Sequence, residues 1–308
     1  MRVVFIGTGE IGIPVLRWLL DSKEHDLAAV VTQPDKPAGR DQKMTPPPIK
    51  TALAGKNMSI LQPARLKDRE AVEQIRALAP DAIVVMAYGQ ILPKDVLEIP
   101  KKACLNLHAS LLPRHRGASP IQAAIVAGDG ETGITVIYMA EGLDTGDMLL
   151  QRKIDMSPDD TGDSLHDRLA QIAPEALCES LRLLAAGNAP RIAQDNALAT
   201  YAPKLRRDDG KIDWTESAEV IERKIRAFNP WPGAFTMLGE KKLKILAASI
   251  VDLDGTPGKF LRSDKELIIA ARDRALSASE VQLEGKRRMS AAEFLRGNPL
   301  SSFIRLGG

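Results

Sequence analysis

The chain has 308 residues, 44% hydrophobic and 27% charged, with a formal net charge of +2, a composition that fits a soluble globular protein long enough for two domains. No apolar run reaches the roughly 18–20 residues of a membrane span, and Cys104 and Cys178, without CxxC spacing, exclude a disulfide scaffold and a zinc ribbon. A strand at the very N-terminus leaves no room for a signal or transit peptide, so a cytoplasmic, monomeric protein with no metal and no membrane partner is expected.

Residues 3–6 run straight into Gly7-Thr8-Gly9-Glu10-Ile11-Gly12, which reads as strand, tight turn and helix start. Spelled literally this is GxGxxG, the dinucleotide-binding fingerprint, and Asp35, beyond a second strand at 27–31, could be its ribose-binding acid. Pro14 just inside the helix and the Pro-rich setting of Asp35 weigh against that use. Residues 32–48 (TQPDKPAGRDQKMTPPP) hold five prolines, Gly39 and the bases Lys36, Arg40 and Lys43. A connection of this length is usually functional or disordered. Its residues fit a stiffened phosphate clamp and a solvated loop equally well.

A helix over 49–55, a short strand at 60–62 and an amphipathic helix over 68–78 follow. Residues 82–87 (AIVVMA) are continuously apolar, as in a strand buried on both faces of a parallel sheet. The carboxyl end of that strand, Met86, Ala87, Tyr88 and Gly89, belongs near the site, because open α/β sheets bind ligands there. Next come a strand at 104–108, a helix at 118–127, strands at 134–139 and 148–153, and a helix over 164–186 interrupted at Pro174. This alternation predicts a Rossmann-like parallel α/β domain over 1–189. Residues 190–205 are irregular and polar and read as a linker.

From 206 to 308 the texture changes. A helix at 218–227, a rigid turn at Asn229-Pro230-Trp231-Pro232-Gly233 and short strands at 234–238, 243–246, 249–253 and 266–271 predict a small OB-like β-barrel. From Lys204 onward 20 Lys+Arg stand against 15 Asp+Glu, and before it 22 against 25. The excess of positive charge suits a polyanionic partner and equally an ordinary basic domain.

The chemistry concentrates in two stretches. In Cys104-Leu105-Asn106-Leu107-His108 the period of two puts Asn106 and His108 on one face of a strand, just before a turn closed by Pro113. In Gly142-Leu143-Asp144-Thr145-Gly146-Asp147 a carboxylate sits between two glycines. An amide donor, an imidazole and a carboxylate are the groups that acyl transfer to an amine needs, for the developing oxyanion and for the protons. The same three residues are equally read as strand-end hydrogen bonds and turn chemistry. Serine hydrolysis lacks a G-x-S-x-G elbow, and His25, His108, His115 and His166 lack metal-site spacing.

Residues 106–122 (NLHASLLPRHRGASPIQ) with 142–148 (GLDTGDM) resemble the signature of the folate-dependent formyltransferase superfamily. The stretches 32–40 (TQPDKPAGR), Ala87-Tyr88-Gly89 and 226–233 (RAFNPWPG) are similar to the branch that formylates initiator tRNA, and the resemblance runs essentially full length. It implies that Asn106, His108 and Asp144 are catalytic, and that Met86, Ala87, Tyr88, Gly89, Ser110, Leu111, Leu112 and Pro113 line the pocket for 10-formyltetrahydrofolate. It implies further that the loop with Arg40 and Lys43 meets the acceptor end of methionyl-initiator tRNA, and that the C-terminal barrel binds the tRNA. Arg114, His115 and Arg116 would hold phosphate or the anionic folate tail, or lie on solvated surface.

Two departures stand out. The family usually continues its first strand as Gly-Thr-Pro where this chain has Gly7-Thr8-Gly9, and it has Gly-Lys-Lys after the loop arginine where this chain has Asp41-Gln42-Lys43. The second departure throws more of the tRNA grip onto Arg40. Amino-sugar formylation, nicotinamide oxidoreduction and tRNA binding without catalysis are the competing readings.

Overall fold

Residues 1–39, 41–262, 266–298 and 306 are described by the computed structural model. They divide into a first unit (Met1–Pro120, Glu131–Asp155, His166–Ala202) and a second (Ile121–Gly130, Met156–Leu165 and the chain from Pro203).

In the first unit the apolar β1 (Arg2–Gly7) feeds α1 (Ile13–Asp21). Pro14 lies in the first turn of that helix, where its missing N–H costs nothing. β2 (Asp26–Val31) follows, and then a hairpin of β3 (Lys36–Ala38) and β4 (Lys43–Thr45). The connection at 32–48 is therefore not wholly irregular: cross-strand pairs such as Lys36 with Thr45 order it. Lys43 is exposed on β4, and Arg40 lies outside the described residues.

The chain continues through α2 (Pro48–Ala52), β5 (Ile60–Leu61), α3 (Arg69–Ala77), β6 (Ala82–Met86), α4 (Lys94–Leu97), β7 (Ala103–His108) and the short β8 (Arg116–Gly117). After α5 (Pro120–Ala127) come β9 (Glu131–Tyr138) and β10 (Met148–Asp155). The sheet order is β10-β9-β7-β6-β1-β2-β5. All five residues of β6 are buried, as a central parallel strand requires.

The Rossmann-like expectation holds for the five strands from β7 to β5. It fails at one edge, where β9 pairs antiparallel with both β7 and β10. Hydrophobic periodicity reports which face is buried and carries no information on strand direction, so the sequence alone cannot reveal this reversal.

α6 (Gly162–Ala186) runs unbroken through Pro174, correcting the expected interruption. Pro inside a helix costs about 3 kcal/mol. Leu169, Leu177 and Leu181 are fully buried along the same helix, each worth roughly 1.5–3 kcal/mol, and together they outweigh the loss. Beyond α6, residues 190–202 do not hang free. Met148 and Ile192 exchange backbone hydrogen bonds of 2.8 and 2.9 Å, and β11 (Tyr201–Ala202) pairs in parallel with β8.

The second unit is built on α7 (Ala218–Ala227), β12 (Phe235–Leu238), β13 (Lys241–Val251), β14 (Phe260–Arg262), β15 (Leu267–Ala270), β16 (Ala275–Leu283), β17 (Met289–Ser290) and α8 (Ala291–Gly297). Ser217 Oγ accepts from Val220 N to cap α7, and Ser290 with Glu293 forms a capping box on α8. The strands make one antiparallel sheet, β12-β13-β16-β15-β14 with β17 on β16, curled as a half-barrel. Ile221 and Ile225 of α7 pack with Leu243, Ile245, Leu276 and Phe294 in its core. The two short strands expected at 243–246 and 249–253 are halves of β13, joined across an irregularity between Ile245 and Ala248. Among the described residues no helix is long and apolar enough to cross a membrane.

Candidate active site

The glycine turn is occupied by the protein itself. The N–H groups of Thr8 and Gly9 both donate to Ala87 O at 3.2 Å, and Gly12 N donates to Gly9 O. A pyrophosphate would need such amides pointing outward. Gly7 is required for packing, since a Cβ there would lie 2.7 Å from the Phe5 ring and 2.8 Å from Met86 O. Asp35 is committed too: Lys50 Nζ meets its two oxygens at 2.8 and 2.9 Å, and Gln62 Nε2 donates to Oδ1 at 2.9 Å. The hydrogen bonds from Lys50, then Gln62, hold its carboxyl below the ordinary value. Both halves of the dinucleotide reading thus have structural occupations.

The polar face of β7 is where side chains converge. Asn106 Nδ2 donates to Asp144 Oδ1 at 3.4 Å, and His108 Nδ1 lies 3.6 Å from Asp144 Oδ2. Asp144 Oδ2 accepts a 2.8 Å hydrogen bond from Gly117 N. The opposite edge of the imidazole is anchored: His108 Nε2 is 2.9 Å from His115 O. A carbonyl only accepts, so Nε2 carries hydrogen and the proton that can come and go belongs to Nδ1, beside the carboxylate. His108 is 6% exposed, which shields this pair from water. The other face of β7 is apolar. Cys104 shares the face of Asn106 and His108 but lies in the core, and burial pushes its thiol up to about 12, so this cysteine is not a nucleophile at neutral pH.

Local backbone explains the glycines around Asp144. A Cβ on Gly146 would meet Tyr138 O at 1.7 Å, and one on Gly142 would meet Thr145 Oγ1 at 2.4 Å. Asp144 itself has φ +51°, a left-handed conformation that Asp tolerates better than most residues.

The remaining expected residues frame the site unevenly. Met86 and Tyr88 point into the core, while Ala87 and Gly89 are exposed with φ +50° and +81°. Burial raises the Tyr88 phenol to about 12, which removes it from proton transfer. Ser110 and Leu112 are buried; Leu111 and Pro113 are half-buried. Thr135 and Gln151, which sequence reasoning missed, tie down this segment. Thr135 Oγ1 donates to Ser110 O at 2.6 Å and accepts from Leu112 N at 3.1 Å, and Gln151 Nε2 donates to Leu112 O at 2.9 Å. Thr135 was visible as the polar interruption of an apolar strand.

Of the basic trio after this segment, Arg114 is exposed, whereas His115 and Arg116 are buried. Arg116 is not surface: its guanidinium donates to Gln194 Oε1 and Asn196 Oδ1. Thr200 Oγ1 accepts from His115 N at 2.8 Å. Gln194, Asn196 and Thr200 were also missed, since nothing local marks a polar residue in an irregular stretch as structural.

A family model described as formyl transferase matches residues 1–181, and a formyl transferase C-terminal domain matches 204–299. A methionyl-tRNA formyltransferase of Geobacter sulfurreducens is 46% identical over 308 residues, covering 100% of this chain and 97% of its own. The chain belongs to the methionyl-tRNA formyltransferase family. It is accordingly a transferase that moves formyl groups. A namesake from Methylacidiphilum infernorum is 47% identical over 314 residues, covering 100% of this chain and 98% of its own. The fold is shared with the solved methionyl-tRNA formyltransferase of Clostridium thermocellum at a TM-score of 0.59 and 20% identity, covering 92% of this chain and 98% of that one.

Proposed function

We propose that the chain transfers the formyl group of 10-formyltetrahydrofolate to the α-amine of methionine on initiator tRNA, in the cytoplasm and as a monomer. The reading is carried by the convergence of Asn106 and His108 on Asp144 within a chain that aligns end to end with its relatives. The small exposed residues Ala87 and Gly89 at the carboxyl end of β6 leave room for a flat ring against the backbone, which suits a folate. A solved HypX of Aquifex aeolicus in complex with tetrahydrofolic acid has the same fold at a TM-score of 0.65 and 19% identity, over 100% of this chain and 51% of that one.

When bound, the folate would supply the formyl carbon, to which the methionyl amine bonds before the bond from that carbon to the folate nitrogen breaks. Asp144 takes the proton that the attacking amine must lose. Asn106 keeps a second amide hydrogen for the oxygen that turns negative, a donor of the kind whose removal costs roughly 3–4 kcal/mol of barrier. His108, anchored through Nε2, passes the Nδ1 proton toward the departing nitrogen and recovers it from Asp144, so the site ends as it began. The exposed Lys43 hairpin, with Arg40, is the reading's tRNA contact. The C-terminal domain, with its excess of positive charge, is its second tRNA surface.

The test is to incubate the protein with 10-formyltetrahydrofolate and methionyl-initiator tRNA, with an amino-sugar nucleotide as the competing acceptor. Formyl-methionyl-tRNA is expected; a folded sample that formylates only the sugar, or nothing, rejects this reading.

A further inference from the structure

We infer that Gln194 is a positioning residue for the reaction, holding the Asp144 loop at the height where the carboxylate meets His108; this rests on the formyl-transfer reading of the site. Gln194 Nε2 donates to Asp144 O at 2.8 Å and to Gly146 O at 2.7 Å. Both hydrogens of the amide are therefore spent on the backbone on either side of Thr145. Its Oε1 accepts from Arg116 Nε at 3.0 Å and from Arg116 Nη2 at 2.7 Å. A guanidinium only donates and a carbonyl only accepts, so the amide has one workable orientation.

Arg116 is what makes this a brace rather than a surface contact. It is 2% exposed, and it stands between two residues that hold the reacting groups. His115 on one side gives its carbonyl to His108 Nε2, and Gly117 on the other gives its N–H to Asp144 Oδ2. Gln194 joins that strand to the Asp144 backbone, closing a ring through both the imidazole and the carboxylate. The ring is fastened on its outer side by the reciprocal Met148–Ile192 backbone bonds and by Arg191 Nη1, 3.6 Å from Asp147 Oδ2. Asp144 needs such help because its backbone is left-handed at φ +51°, a conformation that persists where the surroundings enforce it. The separation at stake is the 3.6 Å from Asp144 Oδ2 to His108 Nδ1, and a misplacement of about 1 Å in a reacting constellation costs up to ~10²-fold in rate.

Gln194→Glu separates positioning from folding. A carboxylate still accepts from Arg116, now as an ion pair, but turns oxygen lone pairs on the carbonyls of Asp144 and Gly146. The variant should stay folded, with kcat down roughly 10- to 100-fold and KM for 10-formyltetrahydrofolate and for methionyl-tRNA within about twofold. In an Asp144→Asn background the same change should have almost no further effect, because a residue that acts through Asp144 is silent without it. Should Gln194→Glu not fold, Gln194→Met, which keeps the length of the side chain and loses its polar ends, repeats both measurements. A wild-type kcat in the folded variant, a rise in KM alone, or full additivity with Asp144→Asn each overturns the brace. A wild type without turnover overturns the reading of the site itself, and the brace with it.

Discussion

His108 is held by the carbonyl of His115, 2.9 Å from Nε2, seven residues further along the chain. The hydrogen bond fixes both the tilt and the tautomer of the ring and leaves Nδ1 to Asp144. His108→Ala and Asp144→Ala are accordingly expected to lower kcat by about 10²–10⁴-fold, the range of a lost acid or base. Asn106→Ala should lower it by about 10²–10³-fold, as for a lost oxyanion donor. Steady-state formylation checks each, with circular dichroism to confirm folding. Activity that survives both His108→Ala and Asp144→Ala removes them from the mechanism.

Gly117 links backbone conformation to the same carboxylate. Its φ is +119°, and a Cβ there would stand 2.5 Å from Ala202 O. Gly117→Ala is expected to destabilise the fold by roughly 1–3 kcal/mol and to lower kcat, since the N–H that holds Asp144 Oδ2 moves with the strand. Urea unfolding and kinetics on one preparation check it. Unchanged stability would mean that β11 yields freely.

The hairpin of β3 and β4 gives the tRNA reading a sharp test. Replacing Lys43 with Ala should weaken methionyl-tRNA binding across salt concentrations and reduce the slope of log K against log[salt] by about one. KM for the folate should hold. Arg40→Ala should act in the same direction and more strongly, because Asp41 and Gln42 stand where the family usually has a glycine and a lysine. Equal effects on both substrates would count against a tRNA contact.

Asp35 supplies a pH signature. Its carboxyl is held below the usual value first by Lys50 and then by Gln62. A depressed folded pKa contributes stability in full above the unfolded value of about 4, and loses it as pH falls from there through the folded pKa. Asp35→Ala should therefore be less stable than the wild type at pH 7, with the gap closing below about pH 4. Urea midpoints at several pH values measure it; a gap independent of pH would show that packing, and not charge, is what Asp35 provides.

Short-range pattern announced most of the first unit and the central trio. Alternation in β7 placed Asn106 and His108 together, and continuous apolarity marked β6 as central. What stayed hidden was long-range. Gln194 reaches Asp144 across 50 positions and Arg116 across 78, and no window of a helix or strand contains such a pair. Arg116 read either as a contact for phosphate or the folate tail or as solvated surface, because an arginine usually faces water. Its burial became intelligible only with the amides of Gln194 and Asn196 in place. β16 was missed for the opposite reason: Ala275–Leu283, with Ser277, Ser279, Glu280 and Gln282, is too polar to stand out, and it is the pairing with β13 and β15 that makes it a strand.

The reversed strand β9 sets one further dimension. Because it runs against β7, it ends with Tyr138 beside Leu105, whereas His108 pairs with Thr135. At about 3.3 Å per residue, the carboxylate must be carried back up the strand by ~10 Å to stand next to the imidazole. A hairpin of this kind closes with about two residues. Residues 139–147 are longer than closure requires, and the excess is the climb. Loop length here is thus part of the chemistry. A one-residue deletion would leave the hairpin able to form while lowering Asp144 toward Asn106, so outside Gly142, Asp144 and Gly146 the climb should accept substitutions more readily than changes in its length.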